Sequence, residues 1–201
     1  VVGLGDGATS EGDFNEALNF AAVFKLPAIF VIQNNGYAIS VPRQKQTTIQ
    51  YFTQRAAGFG LPSCLVDGND ILAVYSAMTD AISRARSGGG PTLIEALTYR
   101  LGAHTTADDP TKYRPSEELE FWGQRDPLLR YRKFLMERSL LTPDTDEKLH
   151  DEVAAEFQAA LKAYEALPPQ DLNQHFELTF AEPPPQLLRQ RDQLFNDLDL
   201  E

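Results

Sequence analysis

The first hundred residues alternate between short apolar runs and segments with helical spacing. Apolar runs that predict buried strands cover residues 1–4, 28–32, 65–66 and 92–99. Helical spacing between these runs predicts helices over residues 11–25, 49–57 and 71–86. Buried strands that alternate with amphipathic helices are typical of a parallel sheet with helices on both faces. The predicted fold class is therefore α/β.

The second half of the chain is first polar and then helical. Residues 102–115 read as a polar loop, which Asp108 and Asp109 are expected to order by pairing with Lys112 or Arg114. The elements predicted beyond this loop are helices over residues 116–123, 126–138, 146–167 and 186–198 and an extended piece over residues 175–180.

We expect two parts in this chain. Residues 1–115 would form the α/β domain without its N-terminal part, and residues 116–201 a helical extension packed on that domain or on a partner. The formal net charge is −11, of which residues 144–201 carry −10, with 4 Lys and Arg against 14 Asp and Glu. A nearly neutral body with an acidic tail argues against nucleic acid or an anionic membrane as a partner.

The cysteine content indicates the cellular compartment, and the first residues indicate whether the sequence is a piece of a longer chain. The single cysteine, Cys64, excludes an intrachain disulfide framework and any multi-cysteine metal site, so we expect a reducing, cytoplasmic compartment. No apolar run reaches the length of about 18 residues that a membrane-spanning helix needs. The chain begins inside an apparent strand, without Met or a charged leader, so we expect a piece of a longer chain without a signal peptide.

Candidate ligand-binding residues directly follow the first two predicted strands. These turns are Gly-Asp-Gly at residues 5–7 and Asn-Asn-Gly-Tyr at residues 34–37. Because ligands bind at the carboxyl ends of parallel strands, we expect the two turns to lie together. The Asp6 carboxylate, the Asn35 amide oxygen and a backbone carbonyl near Tyr37 are the oxygen ligands that Mg²⁺ prefers. Glycine-flanked N–H groups and the following helix suit a phosphate.

Two other interpretations use the same features. Gly3, Gly5 and Ala8 satisfy the G-x-G-x-x-G/A pattern of dinucleotide-binding folds, which would make the chain an NAD-binding oxidoreductase. That fold requires an acidic residue at the end of its second strand, where residues 33–35 are neutral. The second alternative is a non-catalytic interaction fragment whose acidic tail binds a partner.

The two turns are selective in combination, since 26 residues separate Gly7 from Asn34. This order of strand, Gly-Asp-Gly, helix, strand and Asn-Asn resembles the thiamine diphosphate signature. The likeness extends to GDGATSEGDF at 5–14, QNNGYAIS at 33–40 and PTLIEALTYRLGAHTTADDPTKYR at 91–114. These segments resemble the C-terminal part of the alpha subunit of the decarboxylating component of 2-oxo acid dehydrogenases, which act on branched-chain 2-oxo acids or pyruvate.

The resemblance implies a thiamine-diphosphate-binding fold with a helical C-terminal appendage, and it implies a role for each residue of a site. Asp6, Asn35 and the Tyr37 carbonyl would ligate Mg²⁺, and His104 would be the catalytic residue beside the reactive end of thiamine diphosphate. The residues that would bind the cofactor, its diphosphate or the metal are Gly5, Asp6, Gly7, Ala8, Asn35, Tyr37, Arg100 and His104.

The resemblance also implies a reaction and partners. The reaction would be oxidative decarboxylation of a small 2-oxo acid, with acyl transfer to a lipoyl-bearing acyltransferase core. In this family the glutamate that activates the cofactor belongs to the beta subunit, so we expect an alpha2beta2 heterotetramer and an inactive isolated chain. Residues 33–40 favour a branched-chain substrate slightly over pyruvate. Thr105 stands where mitochondrial relatives carry a phosphorylated serine, and we expect no such regulation in this bacterial-type sequence.

Overall fold

The structure, a computed structural model, describes residues 1–198 and is built on a parallel β-sheet. The strands in chain order are β1 (Val2–Gly5), β2 (Ile29–Asn34), β3 (Tyr37–Ala38), β4 (Val41–Pro42), β5 (Ser63–Asp67) and β6 (Thr92–Leu97). Strands β3 and β4 form a small antiparallel hairpin. The other four pair in parallel, in the spatial order β1-β2-β6-β5. The predicted parallel α/β sheet is confirmed.

Residue contacts divide the chain into two compact units, the first of which is Val1–Thr142. Its helices are α1 (Gly12–Val23), α2 (Arg43–Gln46), α3 (Thr53–Gly58), α4 (Ile71–Arg86), α5 (Ser116–Gly123) and α6 (Pro127–Glu137). Short 3₁₀ helices cover Gly7–Ser10 and Pro110–Lys112. The predicted helices at 71–86 and 116–123 are confirmed to the residue, and the predicted helix at 49–57 begins four residues later, at Thr53.

The second unit begins at Pro143 and is helical. It contains α7 (Pro143–Glu165), α8 (Gln174–Glu177) and α9 (Pro185–Asp197). The prediction of an extended piece over 175–180 was wrong, because α8 occupies its first half. Among the described residues no strand pairs with this segment, and a helical turn satisfies its backbone groups locally. The predicted domain boundary after residue 115 remains a prediction, while the contact-based division follows Thr142.

Helix α7 carries apolar side chains that remain exposed. They follow one another at helical spacing and are Leu149, Val153, Phe157, Leu161 and Tyr164, exposed by 37 to 73%. The predicted packing of the extension on the sheet or on a partner therefore stays a prediction. No helix within residues 1–198 has the length and apolarity that crossing a membrane requires.

Apolar side chains cover both faces of the sheet, because successive residues of a strand point to opposite sides. On one face, Phe30 and Ile32 of β2 pack with Leu18 of α1 and with α3. On the other face, Ile29 of β2 packs with Ala81 of α4. The apolar positions of β2 are thus used on both sides, which is why its sequence reads as one continuous apolar run.

A carboxylate lies inside this apolar sheet. Glu95 of β6 has no exposed surface. Its Oε1 accepts a hydrogen bond of 2.7 Å from the Asn34 side chain at the end of β2, and its Oε2 accepts one of 2.9 Å from the backbone N–H of Thr53, the first residue of α3. Buried polar groups are stable when they are paired, so Glu95 joins the central strands to α3 at the carboxyl edge of the sheet.

We expect Glu95→Leu to destabilise the protein, because the Asn34 amide and the Thr53 N–H would lose their acceptor. The free energy of unfolding should fall by about 1–3 kcal/mol for each donor left unpaired, measured by urea unfolding of the full-length protein. Thr92→Val on the same strand is the matched control, since the buried Thr92 hydroxyl has no hydrogen-bond partner within residues 1–198. Equal stability of the two variants would contradict this role of Glu95.

Candidate functional site

The predicted site residues converge on one edge of the sheet. Gly5 pairs with Gln33, and Asn34 pairs with Leu97, so strands β1, β2 and β6 end side by side. The ends of these strands and the segments that follow them carry every predicted residue, namely Gly5, Asp6, Gly7, Ala8, Asn35, Tyr37, Arg100 and His104. The carboxyl edge of a parallel sheet is where such folds bind ligands.

Asp6 is a buried carboxylate at the end of β1, with 1% of its surface exposed. Burial raises the pKa of Asp6, and hydrogen bonds from Gln46 and from the backbone N–H groups of Asp6 and Gly7, together with the charge of Arg100, act in the opposite direction. The Gln46 amide nitrogen lies 3.1 Å from Asp6 Oδ2. Because burial disfavours the charged carboxylate, a cation bound here would stabilise it.

The turn after β2 is fixed by its own side chains. The Asn35 side-chain oxygen accepts a hydrogen bond of 3.1 Å from Tyr37 N, and Gly36 has a φ of +83°, which glycine tolerates. In the hairpin, Tyr37 pairs with Pro42, which has no N–H to donate. The ladder therefore offers no donor from Pro42 to the Tyr37 carbonyl.

The Gly-Asp-Gly turn approaches the hairpin very closely. A Cβ atom at Gly7 would lie 2.7 Å from Ala38 Cβ, so only glycine fits there. Gly7 begins the 3₁₀ helix, and Ala8 beside it is exposed. The buried Thr9 hydroxyl donates a hydrogen bond of 2.6 Å to Asp6 O and holds the turn. The turn after β1 and the hairpin after β2 therefore form one packed unit.

Arg100 connects the hairpin to the loop after β6. Its Nη2 donates hydrogen bonds of 2.6 Å to Ile39 O and 3.2 Å to Tyr113 Oη. Its Nε is buried and has no hydrogen-bond partner within residues 1–198. Ile39 has a φ of +56°, which is uncommon for a β-branched residue. A guanidinium with an unsatisfied buried N–H is suited to an anionic ligand.

The His104 loop is held by Asp108. Asp108 Oδ2 accepts hydrogen bonds of 2.8 Å from His104 N and 2.7 Å from Tyr113 Oη. Both contacts lower the pKa of Asp108, the Tyr113 contact more strongly. His104 Nδ1 lies 3.4 Å from Arg100 Nη1. Since a guanidinium only donates, Nδ1 is the acceptor in this contact and the neutral ring carries its proton on Nε2.

The predicted ion pairing in this loop is confirmed only for Asp109, which forms an exposed ion pair of 3.7 Å with Lys112. Arg114 instead donates hydrogen bonds to the backbone carbonyl oxygens of Arg100, Leu101 and Gly102. A guanidinium has five N–H donors and can satisfy several carbonyl oxygens at once. The expected ion pair between Arg114 and an aspartate would have used fewer of these donors.

Two cavities border the Asn35 turn. One of about 620 Å³ lies beside Tyr37, Tyr99 and Glu118, and a second of about 480 Å³ lies beside Asn35 and Arg100. Glu118 Oε2 accepts hydrogen bonds from both phenols, of 2.8 Å from Tyr37 and 3.2 Å from Tyr99. Burial and Glu118 raise the pKa of Tyr37 to about 12, so at neutral pH this phenol is a hydrogen-bond donor.

The donor set fits a hard cation that brings anionic ligands of its own. Within residues 1–198, no group of three or more His, Cys, Asp or Glu side chains could hold a metal ion. The set is instead one carboxylate, Asp6, with the neutral oxygens of Asn35 and Tyr37. Such a set leaves the remaining charge and positions of Mg²⁺ to phosphate oxygens and water. The unpartnered buried Arg100 Nε also fits a diphosphate.

Three residues that shape this edge were not predicted as parts of a site. Gln46 lies 40 positions after Asp6 in a four-residue helix, and Glu95 reads as one polar residue in an apolar strand. Tyr113 reads as part of a polar loop. Only Glu95 left a signal in the sequence, because a lone carboxylate inside a buried strand requires a partner.

Comparison with known proteins identifies relatives over almost the whole chain. The sequence profile of the family described as "Dehydrogenase E1 component" matches residues 1–173. The 3-methyl-2-oxobutanoate dehydrogenase subunit alpha of Mycobacterium tuberculosis is 49% identical over 201 residues, covering 98% of this chain and 54% of the relative. The pyruvate dehydrogenase E1 component subunit alpha of Staphylococcus aureus is 48% identical over 187 residues, covering 92% and 50%. The chain thus spans about half the length of these relatives.

The dinucleotide interpretation finds no support. Strand β2 ends in Gln33 and Asn34, and β1 leads into a 3₁₀ helix rather than directly into an α-helix. The motif formed by Gly3, Gly5 and Ala8 is therefore a coincidence of spacing.

Burial raises the pKa of Cys64, which disfavours the thiolate and is consistent with a packing role.

We expect Asp108→Ala to release the His104 loop, because the His104 N–H would lose its acceptor. Hydrogen exchange of the peptide covering residues 102–109, followed by mass spectrometry on the full-length protein, should become faster. Thr106→Ala in the same exposed loop is the control and should leave exchange unchanged. The pKa of the Asp108 carboxyl lies below its usual value of 3.8. Wild-type protection should therefore persist at pH values above 3.8 and be lost as the pH falls through the lowered pKa. Unchanged exchange in Asp108→Ala would contradict the clamp.

Proposed function

The chain belongs to the family of dehydrogenase E1 components, and we propose that it forms the diphosphate- and metal-binding half of a thiamine diphosphate-dependent 2-oxo acid dehydrogenase. The observation that carries this proposal is the convergence of Asp6, the Asn35–Tyr37 turn and Arg100 at one edge of the sheet. When bound, thiamine diphosphate supplies the electron sink for decarboxylation, and the protein supplies binding and orientation.

The proposed binding roles follow from the chemistry of each group. The Asp6 carboxylate, the Asn35 side-chain oxygen and the Tyr37 carbonyl ligate Mg²⁺, which prefers oxygen ligands. Backbone N–H groups of residues 5–8, at the start of the 3₁₀ helix, bind the diphosphate. Arg100 donates its free Nε–H to the same anion.

His104 is the proposed catalytic residue. It is exposed at the edge of the loop, and its Nδ1 contact with Arg100 leaves the Nε2 proton of the neutral ring free to be donated to the substrate. Its backbone N–H is held by Asp108, which fixes the part of the loop from which the ring extends. Thr105 is also exposed, and we propose that it is not a regulatory phosphorylation site.

The proposed partners supply what this half-site lacks. We infer a beta subunit, in an alpha2beta2 heterotetramer, that contributes the cofactor-activating glutamate, and a lipoyl-bearing acyltransferase core that accepts the acyl group. The exposed apolar side chains of α7 support a protein contact by this helix. We place the assembly in the cytoplasm, and the chain alone is inactive in this proposal.

The proposed substrate is a small 2-oxo acid, with a slight preference for branched-chain acids over pyruvate that rests on residues 33–40. The identities of 49% and 48% to relatives named for the two substrates are too close to separate them. Parallel assays of the assembled complex with 3-methyl-2-oxobutanoate and with pyruvate test this choice. A higher kcat/KM for pyruvate would overturn the preference and leave the reaction class intact.

We expect Asp6→Ala and Asn35→Ala each to abolish Mg²⁺-dependent binding of thiamine diphosphate, because each removes an oxygen ligand. The loss should exceed the about 10- to 100-fold that removal of a supporting group costs. Calorimetric titration of the full-length protein with its partner subunit measures it. Asp13→Ala, an exposed carboxylate in the first turn of α1, is the control. Wild-type affinity in either site variant would rule out the metal assignment.

We expect His104→Ala to bind thiamine diphosphate and Mg²⁺ normally and to lose turnover. The decrease in kcat should be about 10²–10⁴-fold, the range that a positioned proton donor or acceptor contributes. The measurements are kcat with a 2-oxo acid and cofactor affinity by calorimetry, on the same preparation. Near-normal turnover would remove the proposed role of His104.

A further inference from the structure

We propose that Gln46 is a positioning residue for the cation site, fixing the Asp6 carboxylate against the turn that carries Asn35 and Tyr37. This inference rests on the proposed function, because it assigns Gln46 a task at the proposed Mg²⁺ site. Gln46 is the last residue of α2, which directly follows the hairpin.

Both N–H groups of the Gln46 amide have acceptors. Nε2 lies 3.1 Å from Asp6 Oδ2 and 3.1 Å from Val41 O in strand β4. A primary amide donates two hydrogen bonds, so this pair uses its full donor capacity. The amide therefore bridges the turn after β1 and the hairpin after β2.

Helix α2 is itself attached to the second turn. Arg43 N donates a hydrogen bond of 2.8 Å to Gly36 O, and the Arg43 side chain donates one of 2.6 Å to Ile49 O. Gln46 thus stands on a support that is tied to the Asn35–Tyr37 turn at one end, while its amide is tied to Asp6. Hydrogen bonds that orient a ligating carboxylate are typical of metal sites.

The acceptor side of the same amide is unsatisfied. Gln46 Oε1 is buried and has no hydrogen-bond partner within residues 1–198, and it lies 4.0 Å from the position of a Cβ atom at Gly7. A buried oxygen without a donor is costly, so the native assembly is expected to supply one. A water molecule on the bound cation is a donor of the right kind, and Gln46 contacts Asp6 through the other end of the same amide.

The Gln46 contact engages one oxygen of the Asp6 carboxylate. Oδ2 accepts from Gln46, and the proposal assigns the cation to Oδ1. Without Gln46 the carboxylate would have to be ordered when the cation binds, which weakens affinity without changing the ligands themselves.

The test uses Gln46→Met, which keeps the length and approximate volume of the side chain and removes its donors. Mg²⁺ is titrated calorimetrically into the full-length protein with its partner subunit at a fixed thiamine diphosphate concentration. The expected result is about 10- to 100-fold weaker Mg²⁺ affinity, with wild-type kcat once Mg²⁺ is saturating. Gln44→Met, on an exposed residue of the same helix, is the matched control and should bind as wild type.

The remaining outcomes separate this inference from the proposed function. If wild type binds Mg²⁺, Asp6→Ala does not, and Gln46→Met equals wild type, the role of Gln46 is overturned and the site stands. If Gln46→Met lowers the unfolding temperature of the metal- and cofactor-free protein, Gln46 holds the fold and the inference is also overturned. If wild type itself binds neither Mg²⁺ nor thiamine diphosphate, the proposed function fails and this inference fails with it.

Discussion

The buried carboxylate of Glu95 is the interaction on which the carboxyl edge of the sheet depends. It accepts hydrogen bonds from the Asn34 side chain and from the first N–H of α3, so it fixes the end of β2 relative to the neighbouring helix. The oxygen of the same Asn34 side chain accepts from Gly36 N at 3.3 Å. One carboxylate in an apolar interior thereby supports the turn that carries Asn35 and Tyr37, two of the proposed metal ligands.

The site that results is poor in formal charge. Asp6 is its one buried carboxylate among the predicted ligands, and neutral oxygens and backbone N–H groups make up the rest of the proposed set. Arg100 balances Asp6 from the loop after β6, and its charge also favours the ionised form of that carboxylate. Such a set matches the proposed ligands, a cation and a diphosphate that bind together.

Much of this edge is irregular backbone held by specific contacts. Gly7 is required because any side chain would meet Ala38, and the left-handed Ile39 offers its carbonyl to Arg100. Strained residues persist only where their surroundings over-determine them, and they concentrate at functional sites. The hairpin, α2 and the His104 loop supply those surroundings. Residues whose sequence is typical of ordinary loops therefore fix the positions of the site residues.

The sequence alone determined the α/β class, the helix Ile71–Arg86 and the two turns of the candidate site, because hydrophobic periodicity and glycine-rich strand ends are local signals. Only the tertiary structure decided helix α8 and the β3–β4 hairpin. Two-residue strands have no detectable period, and a segment of alternating polarity becomes a strand only where another strand is available to pair. Gln46 and Glu95 acquired their partners only in the tertiary structure, 40 and 61 positions away, because hydrogen bonds between distant segments exist only once the chain has folded around them.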